Sequence, residues 1–220
     1  MNSEVDSMKK IIFVDIPMRE MNENRDKQCY NRKENINCDD TSDVFFPINA
    51  VLAKIMNRYD TIKIVLLATV FKENHTLENI ELFKNEVENI NARIGAKLEY
   101  EVITTEFVES KKKHEVRLCS MLSVIEKNAE LYADITFGQK TLPMLLMCAF
   151  HFAERFFDAD IKKIIYGKVE FIKHSDGNTY PENPELYDVT LLYYLNNLIA
   201  SMQASSSEKA VELLDAFFSL

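Results

Sequence analysis

Short apolar runs alternate with amphipathic stretches along most of the chain. The runs predict buried strands at residues 10–16, 61–68, 98–103, 131–136 and 161–166. Between them, apolar positions at helical spacing predict helices over residues 44–59, 77–92, 111–129 and from Thr141 onward. This alternation predicts a mainly parallel sheet with helices on both faces. We therefore expect an α/β protein with a Rossmann-like, doubly wound fold.

The pattern changes after residue 166. Residues 168–173 and the stretch from Thr179 flank Asp176-Gly177, which predicts a C-terminal β-hairpin. An apolar helix is predicted over residues 189–202, followed by a serine-rich break and a last helix over residues 210–220. This interpretation divides the chain into three parts, which are a flexible tail (residues 1–9), a main domain (residues 10–203) and a helical connector (residues 204–220).

Residues 19–43 are charged, rich in asparagine and nearly free of aliphatic side chains. Such a composition predicts a long loop that is too polar to pack. Long loops without secondary structure inside compact domains are often functional lids, or else they are disordered. Because this one follows the first strand, we expect it to be mobile in the free protein and to become ordered over a ligand.

The most informative stretch is Asp134-Ile-Thr-Phe-Gly-Gln-Lys-Thr-Leu-Pro143. A buried strand reaches Thr136, breaks at Gly138 and is followed by the start of an apolar helix. A helix start offers unpaired N–H groups and the positive end of the helix dipole, and Lys140 adds a cation. This combination predicts binding of a phosphorylated ligand. The alternative is a purely structural turn, since strand–glycine–helix junctions also occur where nothing binds.

In open parallel sheets, ligands bind at the carboxyl ends of the strands, where the winding reverses. Thr136 and Thr141 either bind phosphate or only cap the helix. Phe137 is expected to face outward. His114 is expected to be solvated, and no histidine is predicted to lie where it could act as a base. The predicted ligand-binding residues are Asp15, Ile16, Pro17, Met18, Thr69, Phe71, Thr104, Thr136, Phe137, Gly138, Gln139, Lys140, Thr141 and Tyr166.

The formal net charge of −9 argues against broad, non-specific binding to DNA or RNA, which needs a basic surface. A small anionic ligand needs only local positive groups. The four cysteines form no Cys-x-x-Cys pair, and Cys119 and Cys148 lie in apolar helical patterns that predict buried thiols. A reducing, cytoplasmic location fits this usage. We expect no metal, no cofactor and no membrane span.

Three motifs resemble those of the CRISPR-associated Rossmann fold (CARF) proteins. Asp134–Pro143 resembles their Asp-x-Thr-His-Gly-x-Arg-Ser-Leu-Pro signature, and Ile164-Ile-Tyr-Gly-Lys-Val-Glu170 is similar to their Tyr-Tyr-Gly-Ala-x-Glu strand. Asp176-Gly177 followed by Tyr187-Asp-Val-Thr190 is similar to their hairpin and Asp-Leu-Thr helix start. The resemblance covers roughly residues 9–200, although only residues 134–190 carry motifs.

The chain departs from the signature at two positions. Phe137 stands where the signature has histidine, which removes a group able to transfer a proton. Lys140 stands where it has arginine, which keeps the charge but loses the bidentate fork.

The resemblance implies a sensor in type III CRISPR antiviral defence. Such a domain forms a homodimer, binds one cyclic oligoadenylate (cyclic tetra- or hexa-adenylate) and allosterically regulates an attached effector. The chain carries no recognisable effector motif, so an effector domain is expected to be fused C-terminally, and neither DNA nor a membrane is expected as a partner. The alternative is an enzyme, a stand-alone and metal-independent ring nuclease with Lys140 at its centre. A third possibility is an unrelated α/β domain that binds a mononucleotide.

Overall fold

A computed structural model describes residues 9–33, 36–175 and 177–218. It confirms the predicted alternation of strands and helices. The elements are β1 (Lys10–Asp15), α1 (Glu23–Asp26), β2 (Asn31–Arg32), α2 (Pro47–Ile55), β3 (Thr61–Val70), α3 (Thr76–Asn91), β4 (Lys97–Glu106), α4 (Lys111–Ser123), β5 (Glu130–Asp134), α5 (Leu142–Phe157), β6 (Asp160–Lys173), β7 (Thr179–Asp188), α6 (Thr190–Ser201) and α7 (Ser207–Phe218).

A seven-stranded sheet has the order β2-β7-β6-β5-β1-β3-β4. The five strands from β6 to β4 are parallel. β7 is antiparallel to β6, and β2 is parallel to β7 at the edge. The chain first winds outward from β1 to β3 and β4, and then returns to place β5 and β6 on the other side of β1. This is the predicted doubly wound, Rossmann-like arrangement.

Both faces of the central strands are covered, which explains their continuous apolar sequences. Ile12 and Val14 of β1 belong to one buried cluster with Ile48 of α2. Between them along the strand, Phe13 points to the other face, where its ring lies 5.8 Å from that of Phe150 in α5. α2 and α3 therefore cover one face of the sheet, and α4 packs beside α5 on the other.

The prediction that residues 19–43 are too polar to pack is wrong. Tyr30 and Ile36 are buried, and buried Asp26 forms an ion pair with Arg19 at 2.8 Å. β2, which belongs to this segment, pairs with β7 as an edge strand. A few apolar side chains are sufficient here because backbone pairing and ion pairs also hold the segment in place.

The predicted hairpin is confirmed for the residues that the structure describes, which leave out Asp176. The strand predicted at residues 161–166 and the first hairpin strand form one element, β6, and β7 returns beside it. Gly177 has a φ of +84° and its N–H group donates to the carbonyl of His174 at 3.0 Å. Glycine suits this turn because it adopts a positive φ at little cost.

The chain divides into two compact units between Thr190 and Leu191, whereas the sequence placed the boundary after residue 203. The hydroxyl of Thr190 accepts a hydrogen bond from the N–H of Ile164 at 2.8 Å, which ties the last residue of the first unit to β6. The second unit consists of α6 from Leu191 and α7. Of the predicted tail, residues 1–8 lie outside the described residues, and Lys9 forms an ion pair with Glu126 at 2.8 Å.

Cys119 and Cys148 are exposed, so the prediction of buried thiols is wrong for both. Each lies on a helix side that faces away from the sheet. Cys38, which was placed in a polar loop, is buried. Across the part of the chain that is described, no helix has the length and apolar character needed to cross a membrane.

Candidate ligand site at the switch point of the sheet

The winding of the sheet reverses between β1 and β5, which are adjacent and parallel. β1 ends at Asp15 and β5 ends at Asp134, so two buried carboxyl groups flank the crevice where doubly wound proteins bind ligands. The two side chains lie on opposite faces of the sheet. Asp15 is two residues after Phe13 and shares its face, whereas Asp134 pairs with Val14 and shares the other face.

Asp134 organises the turn that follows β5. Its carboxylate accepts hydrogen bonds from the N–H of Thr136 at 2.9 Å and from the N–H of Ile48 at 3.1 Å. Burial raises the pKa of Asp134 to about 6, against the lowering effect of these hydrogen bonds. The residue thus ties the start of α2 to the turn between β5 and α5, and its role is structural.

Asp15 lies beneath the same turn without a hydrogen-bond partner in the described part of the chain. Gly138 has a φ of +83°, and a Cβ atom added to it would lie 3.0 Å from Cβ and 3.1 Å from Oδ2 of Asp15. Only glycine allows this approach. Burial, and then the charge of Asp134, raise the pKa of Asp15 well above its usual range.

Two further buried side chains at this edge of the sheet lack partners among the described residues. They are the hydroxyl of Thr69, near the end of β3, and the whole amide group of Gln139, which is 6% exposed. Unpartnered buried polar groups are uncommon in proteins. Asp15, Thr69 and Gln139 therefore leave buried polar atoms near the carboxyl ends of β1, β3 and β5, where a ligand or water would satisfy them.

The start of α5 lies directly beyond Gln139. Lys140 is exposed and has no hydrogen bond or ion pair with any described residue. Thr141 precedes the first helical residue, yet its hydroxyl does not cap the helix. It donates instead to Oε2 of Glu109 at 2.8 Å. The helix start therefore carries one free cation and one carboxylate supplied by the β4–α4 connection.

Glu109 joins two further residues to this place. Its Oε1 atom lies 3.2 Å from Nη1 of Arg117, and its Oε2 atom lies 3.2 Å from Nε2 of His114. Arg117 is 1% exposed and also donates to the carbonyl of Glu106 at 2.7 Å. Burial acts to raise the pKa of Glu109, but hydrogen bonds from Thr141 and Arg117 outweigh it and hold the pKa below its usual range.

Glu109, His114 and Arg117 were not among the predicted site residues. His114 was expected to be solvated, but it lies beside Glu109 at the start of α5. One signal was present in the sequence, since Arg117 precedes Met121 by four residues and both lie on the buried face of α4. A charged side chain on an apolar helix face needs a partner, and that partner is Glu109.

The loop after β1 is fixed to α3. Ile16 and Pro17 are buried, and the carbonyl of Pro17 accepts a hydrogen bond from Asn79 Nδ2 at 2.8 Å. The carbonyl of Met18 accepts one from the N–H of His75 at 3.0 Å. These predicted site residues therefore form a border of the crevice that is hydrogen-bonded to α3 and its N-cap residue.

The turn after β5 carries two more of the predicted residues. Phe137 does not face outward as expected, since it is half-buried and its ring lies 6.0 Å from that of Phe46 in the core. The hydroxyl of Thr136 accepts a hydrogen bond from the N–H of Gly167 at 2.8 Å, which ties the turn to β6.

The remaining predicted residues lie further apart. Phe71 is 46% exposed and follows β3, and its ring lies 5.4 Å from that of Phe107, which follows β4. Thr104 lies within β4 and Tyr166 within β6, so neither marks the end of its strand as predicted. Four strand spacings separate them, or about 19 Å, so one small pocket does not include both.

A separate cavity of about 710 Å³ lies between α2, α3 and the segment before α2. Glu86 in its wall accepts a hydrogen bond from the N–H of Phe45 at 2.8 Å, and burial raises the pKa of Glu86. The rim carries both signs of charge, from Lys27 and Arg93 and from several carboxylates. The cavity contains none of the predicted site residues, and its mixed lining favours no particular class of ligand.

No family model matches the chain, and a search of curated proteins finds no match either. In the described residues, no three His, Cys, Asp or Glu side chains are grouped so that they could hold a metal ion. The candidate site is thus defined by its geometry and by the motif residues that form it.

Proposed function

We propose that this chain is the sensor domain of a type III CRISPR antiviral effector. It binds cyclic oligoadenylate, with cyclic tetra- or hexa-adenylate as the ligand, across a homodimer and regulates an effector domain fused C-terminally. The proposal starts from the resemblance of Asp134–Pro143 to the CARF signature. The observation that carries it is the position of this stretch, which forms the turn at the switch point of the sheet.

The charges at the turn support an anionic ligand. Lys140 is exposed without an ionic partner in the described residues, and it stands at the positive end of the 16-residue helix α5. This local charge accounts for binding of an oligonucleotide by a chain whose formal net charge is −9. The phosphates are expected at the helix start, one set in each protomer.

Exposed aromatic rings near the same edge of the sheet support recognition of bases. Phe71 and Phe107 are 46% and 55% exposed and lie against each other at the ends of β3 and β4. Unstacked bases commonly pack on such rings. In this proposal, the adenines extend from the switch point towards these two phenylalanines.

An apolar stripe along α5 supports the homodimer. Met144, Cys148, Phe152 and Phe156 follow one another at four-residue spacing, and all four are exposed. Contiguous exposed apolar side chains are typical of protein–protein contacts. A two-fold dimer matches a cyclic ligand with an even number of identical units, because both then share the same symmetry.

The ring nuclease remains a second candidate because of one observation. The imidazole of His114 lies 3.2 Å from a carboxylate oxygen of Glu109, which also contacts Thr141 at the start of α5. An imidazole next to a carboxylate suits proton transfer, here from a ribose 2′-hydroxyl that attacks the adjacent phosphorus. The 5′-oxygen then leaves and takes up that proton, so that the products are linear fragments with a 2′,3′-cyclic phosphate at one end and a 5′-hydroxyl at the other.

One experiment separates these functions. Radiolabelled cyclic tetra- and hexa-adenylate are incubated with the protein, and retention on a filter and cleavage on a gel are followed in parallel. The sensor retains the intact ring, whereas the nuclease converts it to linear products and His114→Ala abolishes the conversion. If neither ring is retained nor cleaved at micromolar protein, both proposals fail.

A further inference from the structure

Glu109 occupies the start of α5 in the way that a bound anion would. Its carboxylate accepts a hydrogen bond from the hydroxyl of Thr141 at 2.8 Å and contacts Arg117 and His114 at 3.2 Å each. Three potential anion-binding groups from two helices thus converge on one side chain. Glu109 itself comes from neither helix, because it lies in the connection between β4 and α4.

Arg117 shows that this place is built for an anion. Its side chain is 1% exposed, and its Nε atom has no partner among the described residues. A guanidinium that is removed from water needs a negative charge beside it. Gln139, two residues before Thr141, also has a buried amide group without a partner among the described residues. The carboxylate of Glu109 therefore leaves the Nε–H donor of Arg117 unsatisfied.

We propose that Glu109 is an internal competitor for the phosphate of the ligand. A phosphate group displaces the carboxylate and takes its place on Thr141, Arg117 and His114, which adds these three side chains to the binding site. The proposal deepens the proposed function and rests on it for the identity of the ligand. The exchange itself requires only an anion at the start of α5.

The neighbouring residues favour such an exchange. The side chain of Glu109 is 38% exposed, so it has a path to solvent. Phe107 and Val108, which precede it in the connection, are 55% and 43% exposed and do not anchor it in the core. When Glu109 moves away, the groups that it leaves are His114 and Arg117 on α4 and Thr141 at the start of α5. Without an anion the exchange is unfavourable, because it leaves the buried Arg117 unpaired.

The test compares Glu109→Gln with the parent protein and with Glu115→Gln as a matched control. Glu115 lies on the exposed side of α4, and among the described residues it pairs only with the exposed Lys111, at 3.7 Å. Inorganic phosphate is titrated first, and its dissociation constant is obtained from the rise in melting temperature. Cyclic tetra-adenylate is then titrated by calorimetry.

Glu109→Gln is expected to bind phosphate about tenfold more tightly than the parent. The competing carboxylate is gone, so phosphate can form charge-assisted hydrogen bonds in its place. It should also melt at a lower temperature without phosphate. Glu115→Gln should behave like the parent in both respects. Equal phosphate affinity for Glu109→Gln and the parent would overturn the proposal.

Glu109→Asp provides a second test if the glutamine variant does not fold. The shorter side chain keeps the negative charge near Arg117 but no longer reaches Thr141, so phosphate binding should again be tighter than in the parent. The two proposals can be refuted separately. If the protein binds cyclic tetra-adenylate but Glu109→Gln binds phosphate no more tightly than the parent, the role of Glu109 as a competitor is refuted. If Glu109→Gln binds phosphate more tightly but the protein does not bind cyclic tetra-adenylate, the proposed ligand is refuted.

Discussion

Gly167 of β6 lies directly against Pro47 at the start of α2. A Cβ atom at position 167 would fall 2.5 Å from Cγ of Pro47 and 3.2 Å from Oγ1 of Thr136. The N–H of Gly167 also donates to Thr136. This one glycine therefore brings β6, the first turn of α2 and the turn after β5 into contact.

Replacing Gly167 with alanine should destabilise the protein. The added methyl group has no room beside the Pro47 ring, and overpacking of this kind costs about 1–3 kcal/mol. Urea unfolding of Gly167→Ala, of Pro47→Ala and of the double variant measures the effect. The loss in the double variant should be smaller than the sum of the two single losses, because the smaller side chain makes room. Strictly additive losses would contradict the contact.

Lys140→Ala should weaken binding of cyclic tetra-adenylate by about a hundredfold. A symmetric dimer loses two charge-assisted contacts, each of roughly 1.5–3 kcal/mol. Thermal stability should stay near that of the parent because Lys140 is exposed. Lys140→Arg should retain most of the affinity. Lys54→Ala, which removes an exposed lysine in the last turn of α2, should retain all of it. Unchanged affinity in Lys140→Ala would place the site elsewhere.

Asp15→Asn should change how stability depends on pH. Burial raises the pKa of Asp15 in the folded state, so this carboxyl stabilises the fold fully in acid. Its contribution falls as the pH rises from about 4, the pKa in the unfolded chain, and is lost above the folded-state pKa. Asparagine does not ionise, so the variant should gain relative to the parent by up to about 1.4 kcal/mol per pH unit in that window.

Urea unfolding of the Asp15→Asn variant and the parent between pH 4 and 8 measures this difference. Asp134, with a pKa of about 6, is present in both proteins and its contribution largely cancels. The exposed Asp43→Asn serves as a control and should follow the parent. Parallel stability curves for Asp15→Asn and the parent would mean that Asp15 is not buried as described.

Charges on the α5 stripe should separate the proposed dimer. Met144 and Phe156 are 69% and 54% exposed, so Met144→Glu with Phe156→Glu should leave the fold intact while placing charges in an apolar interface. Light scattering at micromolar concentration should show a dimer for the parent and a monomer for the variant. Leu77→Glu, a change at a 61% exposed apolar residue on α3, should remain dimeric. A monomeric parent would refute the dimer itself.

Local sequence patterns predicted much of the fold. Apolar periodicity located the helices and strands of the α/β core because a strand buried on both faces and a helix buried on one face impose different spacings. Gly95, which lies four residues after the end of α3, has a φ of +82°, a conformation that glycine adopts at little cost. The switch-point turn was recognisable because strand, glycine and helix start lie next to one another in the chain.

The tertiary structure alone decided the features that depend on distant partners. Within the polar stretch, β2 pairs with β7, more than 150 residues later in the chain, and no local pattern indicates this partner. Glu109 reaches Thr141 across 32 positions, and its contact with Arg117 makes a buried arginine tolerable. Local patterns show which side of an element is apolar, but they do not show which element will cover it. The sequence therefore determined the elements and the switch-point turn, whereas long-range packing determined which charges meet there.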